Sequence, residues 1–163
     1  MAGYPIGMIK RIAFKTASRF VLQPWYRQVR GLTLGTRSVV LDDQGRVLLL
    51  RHTYAPGWFL PGGGVERGET VYDAALRELR EEAAVTVEEE PRLLGIYLND
   101  RVFPGDHVAC FVVRRFRRDA FQPGREIAEL AFFDSAKLPD ATTGGSRRRI
   151  AEALGAPISS YVW

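Results

Sequence analysis

The stretch PGGGVERGETVYDAALRELREEAAV, Pro61 to Val85, places three consecutive glycines before a segment crowded with glutamates. From Thr70 to about Ala83 the pattern is helical: Val71, Ala75, Leu76 and Leu79 recur on one face. Thr70 followed by Asp73 is a capping-box start. On that helix Glu78, Glu81 and Glu82 project together beside Arg77, because residues three and four apart share a face. Like charges so placed destabilise a bare helix by roughly 0.2–0.5 kcal/mol per pair. A solvated acidic face would tolerate that cost. Carboxylates converging after a tight glycine turn instead make an oxygen-rich site for a hard dication such as Mg²⁺. Glycines upstream let the backbone approach that ion or a phosphate.

The rest of the chain bounds what such a site can serve. With 163 residues, 46% hydrophobic and 26% charged, it suits one globular domain with a real core. No apolar run approaches the roughly 18 residues that span a bilayer. The lone cysteine, Cys110, excludes an internal disulfide and a cysteine-based zinc centre, fits a reducing, cytoplasmic setting, and is expected in a buried strand. The formal net charge is +4 and unevenly spread. Lys10, Arg11, Lys15, Arg19, Arg27, Arg30 and Arg37 precede the first acid, Asp42, and Arg114 to Arg118 and Arg147 to Arg149 form further basic clusters. Such fields attract phosphates, unless they are simply solvated faces.

Around the helix the pattern is β-rich. RSVVLDDQGRVLLLRH is expected to be two strands of a hairpin turning at Asp42 to Gly45. RLLGIYL, HVACFVVRRF and ELAFFD supply further strands, and a closing helix is expected over about Arg147 to Leu154. Strands on both sides of one well-marked helix give a mixed α/β sandwich. Residues 1–30 are expected to be a basic amphipathic extension, helical from about Ile6 to Leu22, preceding a domain over residues 31–163.

Gly63, five residues, Glu69, seven residues, then Arg77-Glu78-Leu79-Arg80-Glu81-Glu82 resembles the signature of the Nudix hydrolases, G-x5-E-x7-R-E-U-x-E-E-x-G-U with U a bulky aliphatic. The box runs from Gly63 to Val85, and Ala84 stands where the signature has its last glycine. The resemblance implies an α/β/α sandwich with a mixed sheet. It implies hydrolysis of a diphosphate bond in a nucleoside diphosphate linked to another moiety, with Mg²⁺ as cofactor and Mn²⁺ as its substitute. Glu78, Glu81, Glu82 and the Gly63 carbonyl then stand as metal ligands. Arg77 orients a neighbouring glutamate, and Glu69 supports the network. The proton acceptor is one of the box glutamates, Glu81 or Glu82, or a loop glutamate, for which Glu126, ahead of the aromatic strand in GREIAELAFF, is favoured; Glu126 is otherwise a further metal ligand, with a surface-loop role as the alternative. Substrate contacts are expected from Arg51 on a phosphate, from Tyr54 and Trp58 on a base, and from the backbone of Gly62 and Gly63. Core packing is the alternative for Trp58. The expected partner is a small nucleotide-type substrate. An RNA 5′ end and a non-catalytic nucleotide sensor are the alternatives in function, and a homodimer is the alternative in assembly.

The family offers no guide to residues 1–30. Burial of Ile9, Ile12 and Phe20 would contribute about 1.5–3 kcal/mol each, enough to dock the segment on the domain or on a second subunit, with contact to a membrane surface the lesser alternative. Deleting residues 1–30 is therefore expected to lower the melting temperature or change the mass in solution, while hydrolysis persists. Limited proteolysis that trims the segment at once, with both quantities unchanged, would show that it does not dock.

Overall fold

Strand β1 (Thr33–Val40) is held on both edges, and this arrangement positions everything else. The computed structural model describes residues 31–101 and 103–163; the expected N-terminal helix lies outside them. On one edge β1 pairs in parallel with β5 (Asp106–Val113), and β5 pairs antiparallel with β4 (Arg92–Leu98), giving a mixed three-stranded sheet. On the other edge lies the glycine loop. Thr36 N–H donates to Gly63 O at 2.8 Å, Ser38 N–H to Pro61 O at 2.9 Å, and Val65 N–H to Leu34 O at 2.9 Å. Two short ladders complete the strands: β2 (Arg46–His52) with β7 (Ile127–Asp134), and β3 (Val85–Val87) with β6 (Phe116–Arg118).

The expected hairpin is corrected here. Asp42 to Gly45 does turn, with Gly45 N–H on Asp42 O, but β1 and β2 share only the bridge Leu41–Val47 beside that turn. Beyond it the strands diverge, since β5 and the glycine loop already satisfy the backbone of β1. β2 finds its partner in β7 instead.

Both strands are buried on two faces, which explains their continuous apolar runs. Val39, Leu41, Val47 and Leu49 face one way and pack with Tyr97, Cys110 and Ile150. Val40, Leu48 and Val113 face the other way and pack with Leu79, Ala83 and Val85. Helix α1 (Val71–Ala83) covers the second face, and α2 (Gly144–Ala153) covers the first, so the sheet is sandwiched between helices. Cys110 is fully buried, and burial pushes its thiol up to about 12, so it is an inert packing group.

Helix α1 starts as its sequence requires. Asp73 N–H donates to Thr70 Oγ1 at 3.0 Å, and Thr70 N–H reaches Asp73 Oδ2 at 3.4 Å, a reciprocal capping box. It ends at Ala84 with φ 52° and ψ 35°, the left-handed conformation that lets β3 begin at the next residue. Ala84 is the one non-glycine residue with positive φ among the described residues. Its methyl group is strained there, so Ala84→Gly is expected to stabilise the protein by about 0.5–1 kcal/mol, the native strain relieved outweighing the added freedom of the unfolded chain. Chemical denaturation measures the change; a variant less stable than the parent would mean the turn tolerates its methyl without strain.

Candidate functional site

Arg77 is the hub from which the site is assembled. On α1 its guanidinium donates to Glu69 Oε1 at 2.8 Å, Glu69 Oε2 at 3.2 Å, Glu78 Oε1 at 2.7 Å, Glu81 Oε2 at 3.3 Å and the Gly64 carbonyl at 3.0 Å. A planar fork with five N–H groups can bridge so many oxygens, and the anions around it hold Arg77 firmly in its charged form. Glu69 in turn accepts the Glu66 N–H at 2.6 Å, which closes the loop between the glycines and the helix. That N–H and the Arg77 guanidinium hold the Glu69 carboxyl below the ordinary carboxylate range, with the guanidinium the larger influence.

Glu82 sits one turn further along and is bonded differently. Its Oε2 accepts the Gly62 N–H at 2.7 Å. Gly62 can offer that N–H because its φ is 138° and its Cα lies against β1, where a Cβ would run into the Thr36 carbonyl. Burial raises the Glu82 carboxyl to about 7; the Gly62 N–H and Arg37 oppose the rise, and the charges of Glu78 and Glu126 add to it. The site thus concentrates more negative charge than its own arginines offset.

Glu126 completes the constellation from the far side. Thr53 N–H donates to the Glu126 carbonyl at 2.9 Å, and Thr53 Oγ1 to the Arg125 carbonyl at 2.6 Å, pinning this loop to the end of β2. A cavity of about 320 Å³ results, lined by Glu78, Glu81, Glu82 and Glu126 together with Phe121 and Arg125. Among the described residues no three of these side chains already converge as a closed metal centre, because Arg77 and Gly62 hold their oxygens. The donor set nevertheless suits Mg²⁺ or Mn²⁺: hard oxygen donors, a surplus of negative charge, and one Glu82 oxygen outside the bond to Gly62. The Gly63 carbonyl, bonded once by Thr36 N–H, keeps a second lone pair.

Of the residues expected to touch substrate, Arg51 and Trp58 lie side by side, the guanidinium 6.0 Å from the indole ring. Arg51 pairs with Glu129, its cross-strand neighbour on β7, at 2.8 Å. Trp58 packs edge-on against Phe133 at 4.7 Å beside the core. Tyr54 is exposed, stacks on His52 at 4.8 Å, and feels the charges of Glu82 and Glu126. His52 is buried with no partner for Nδ1 among the described residues; burial first and Arg37 second push its pKa down. Arg37, which lies outside the carboxylate cavity, was not expected to influence Glu82. Its sequence signal is a cation on the β1 face that otherwise carries Val39 and Leu41.

Comparisons with known proteins agree with this fold and with the sequence box. The family model described as the NUDIX domain matches residues 31–154. An ADP-ribose pyrophosphatase of Methanocaldococcus jannaschii is 34% identical over 104 residues, 61% of this chain and 61% of that protein's length. A putative 8-oxo-dGTP diphosphatase of Bacillus subtilis is 29% identical over 118 residues, 72% of this chain and 77% of the relative. Among solved structures, a MutT NUDIX hydrolase from Burkholderia pseudomallei superposes with a TM-score of 0.64 at 25% identity, over 74% of this chain and 96% of that one. With the box, the sandwich and a family match across most of its length, this chain belongs to the Nudix hydrolase family.

Proposed function

We propose that the chain hydrolyses a phosphoanhydride bond in a nucleoside diphosphate derivative, with Mg²⁺ as cofactor. The observation that carries this is the single cavity shared by Glu78, Glu81, Glu82 and Glu126. Glu78, Glu81, Glu82 and the Gly63 carbonyl would hold the ion, with Glu126 as a further ligand or as the proton acceptor. Bound there, Mg²⁺ offsets charge on the diphosphate and acidifies a water.

The chain's own groups do the remainder. Arg77 keeps three glutamates oriented, so that their mutual repulsion does not splay them. The Gly62 N–H fixes one Glu82 oxygen and leaves the other turned to the cavity. Glu126, across the cavity on a pinned loop, is placed to take the proton of an attacking water, and Arg125 beside it brings positive charge to the phosphates. A non-catalytic sensor fits less well, since every box carboxylate is present.

An RNA 5′ end remains the second reading because of the arginines at 114–118. RNA pyrophosphohydrolase is the printed name of a Halorhodospira halophila relative, 47% identical over 47 residues, though these cover only 29% of this chain and 26% of that protein. The arginine cluster is partly offset: Arg115 lies 3.6 Å from Glu89 and Arg117 lies 3.7 Å from Asp119. Asp42, Asp43 and Glu88 share a groove with Arg114, Arg115 and Arg118. A small nucleotide is therefore favoured.

A screen of nucleoside di- and triphosphates, nucleotide sugars, ADP-ribose, dinucleotides and capped RNA, with product identification, tests the proposal. Hydrolysis is expected to require Mg²⁺ and to stop when the ion is chelated. Glu81→Gln and Glu82→Gln should each lower kcat by about 10²-fold or more at unchanged fold. Parent-like turnover in both variants would overturn the assignment. Arg77→Lys keeps the charge but cannot bridge Glu69, Glu78 and Glu81 at once, so kcat is expected to fall by about tenfold or more with circular dichroism unaltered.

A further inference from the structure

The carboxylates around the cavity are held by two different means. The Arg77 guanidinium grips Glu69, Glu78 and Glu81, and the Gly62 N–H grips Glu82. Glu126 lines the same cavity, yet among the described residues it is bonded through its backbone and not through its carboxylate. What aims its side chain is therefore the backbone that carries it.

Thr53 holds that backbone at two successive carbonyls. Its N–H donates to Glu126 O at 2.9 Å, and its hydroxyl to Arg125 O at 2.6 Å. The Arg125 carbonyl lies in the peptide plane that leads into Glu126, and the Glu126 carbonyl in the plane that leads out. Those two planes together define the direction of the Glu126 Cα–Cβ bond, so restraining both restrains the side chain at its root.

The platform behind Thr53 is built for this contact. β2 and β7 stay in register as far as Arg51 opposite Glu129, and then His52 stands opposite Ile127, so Ala128 is an extra residue on β7. Without that bulge Thr53 would fall opposite Ile127; with it, Thr53 meets Glu126. His52 is buried, and its ring packs on Tyr54 at 4.8 Å and Phe59 at 5.2 Å, which anchors the residue before Thr53. Gly124 N–H donates to Ile127 O at 3.0 Å and closes the loop on itself.

We propose that Thr53 is a positioning residue: its hydroxyl and N–H aim the Glu126 carboxylate into the cavity, as Arg77 does for the glutamates of the box. The proposal rests on the hydrolase reading for the use made of Glu126. The hydroxyl is the part that substitution can remove, since the N–H belongs to every residue but proline.

Thr53→Val removes the hydroxyl and keeps the N–H; Thr53 is exposed, so the change disturbs no packed core. In Mg²⁺-dependent hydrolysis by the full chain, kcat of Thr53→Val is expected to fall about tenfold with KM within about twofold, while Thr53→Ser restores parent-like turnover. In the Glu126→Gln background Thr53→Val is expected to cost less than about twofold more, because a residue that acts through Glu126 has nothing left to aim. Amide exchange at Gly124, followed with EDTA present and no substrate, is expected to quicken about tenfold in Thr53→Val and to stay parent-like in Thr53→Ser. Parent-like kcat in Thr53→Val, a full tenfold loss repeated in the Glu126→Gln background, or unchanged exchange at Gly124 would overturn the proposal. Parent-like kcat in Glu126→Gln would remove Glu126 from the reaction and the proposal with it, leaving the box to Glu81 and Glu82. Absence of hydrolysis across the whole substrate screen would sink the hydrolase reading, and the exchange measurement would still decide whether Thr53 holds the loop.

Discussion

The hydrogen bond from the Gly62 amide to Glu82 ties the parts of this molecule together. It joins a helix carboxylate to a loop that is itself stitched along β1 by Thr36, Ser38 and Val65. Through it, the position of α1 over the sheet and the position of the acidic cluster become one variable. Without the loop, β1 would expose an unpaired edge, and α1 would present glutamates with nothing to register them. Without the helix, the glycines would be a turn with no partner for their amides. Packing of Leu79 and Ala83 against Val40 and Leu48 supplies the hydrophobic counterpart of the same joint.

Electrostatics divides labour within the cluster. Arg77 neutralises Glu69 and Glu78 at short range and reaches Glu81 more loosely. Glu82 is left to a backbone dipole, half-buried, with its carboxyl pushed up to about 7 by burial and by Glu78 and Glu126. A carboxylate in that state gains most from a cation, because the cation removes the penalty that burial imposes.

What the sequence made legible was local. Thr70 and Asp73 announce the start of α1, apolar spacing marks its buried face, and the αL exit at Ala84 follows from the position normally held by glycine. The run HVACFVV is continuous because β5 is buried on both faces. Long-range choices were not legible. Asp42 to Gly45 signals a turn correctly, yet nothing in those residues says that β1 will take β5 and the glycine loop, so the hairpin expectation failed. Glu126 could be suspected from its distance to the aromatic strand, but the Thr53 bonds that pin its loop appear only in three dimensions. Arg51 and Trp58 were read as substrate contacts from proximity in sequence, and their neighbours Glu129 and Phe133 were not legible there. Arg37 carried no motif at all, since its influence on Glu82 comes from what folds beside it.

The strand-like run of Tyr161 to Trp163 has a colloidal consequence as well. β4 is the outer strand of its sheet, and it carries exposed Leu93 and Ile96 along a rim that could template pairing with another chain. At Leu98 the added segment occupies both backbone groups, and a register shift between Leu93 and Gly95 distorts the other end. Between them these two devices leave only a short stretch of open edge. Removing Ser159 to Trp163 would lengthen the open rim along β4 and favour strand-to-strand self-association.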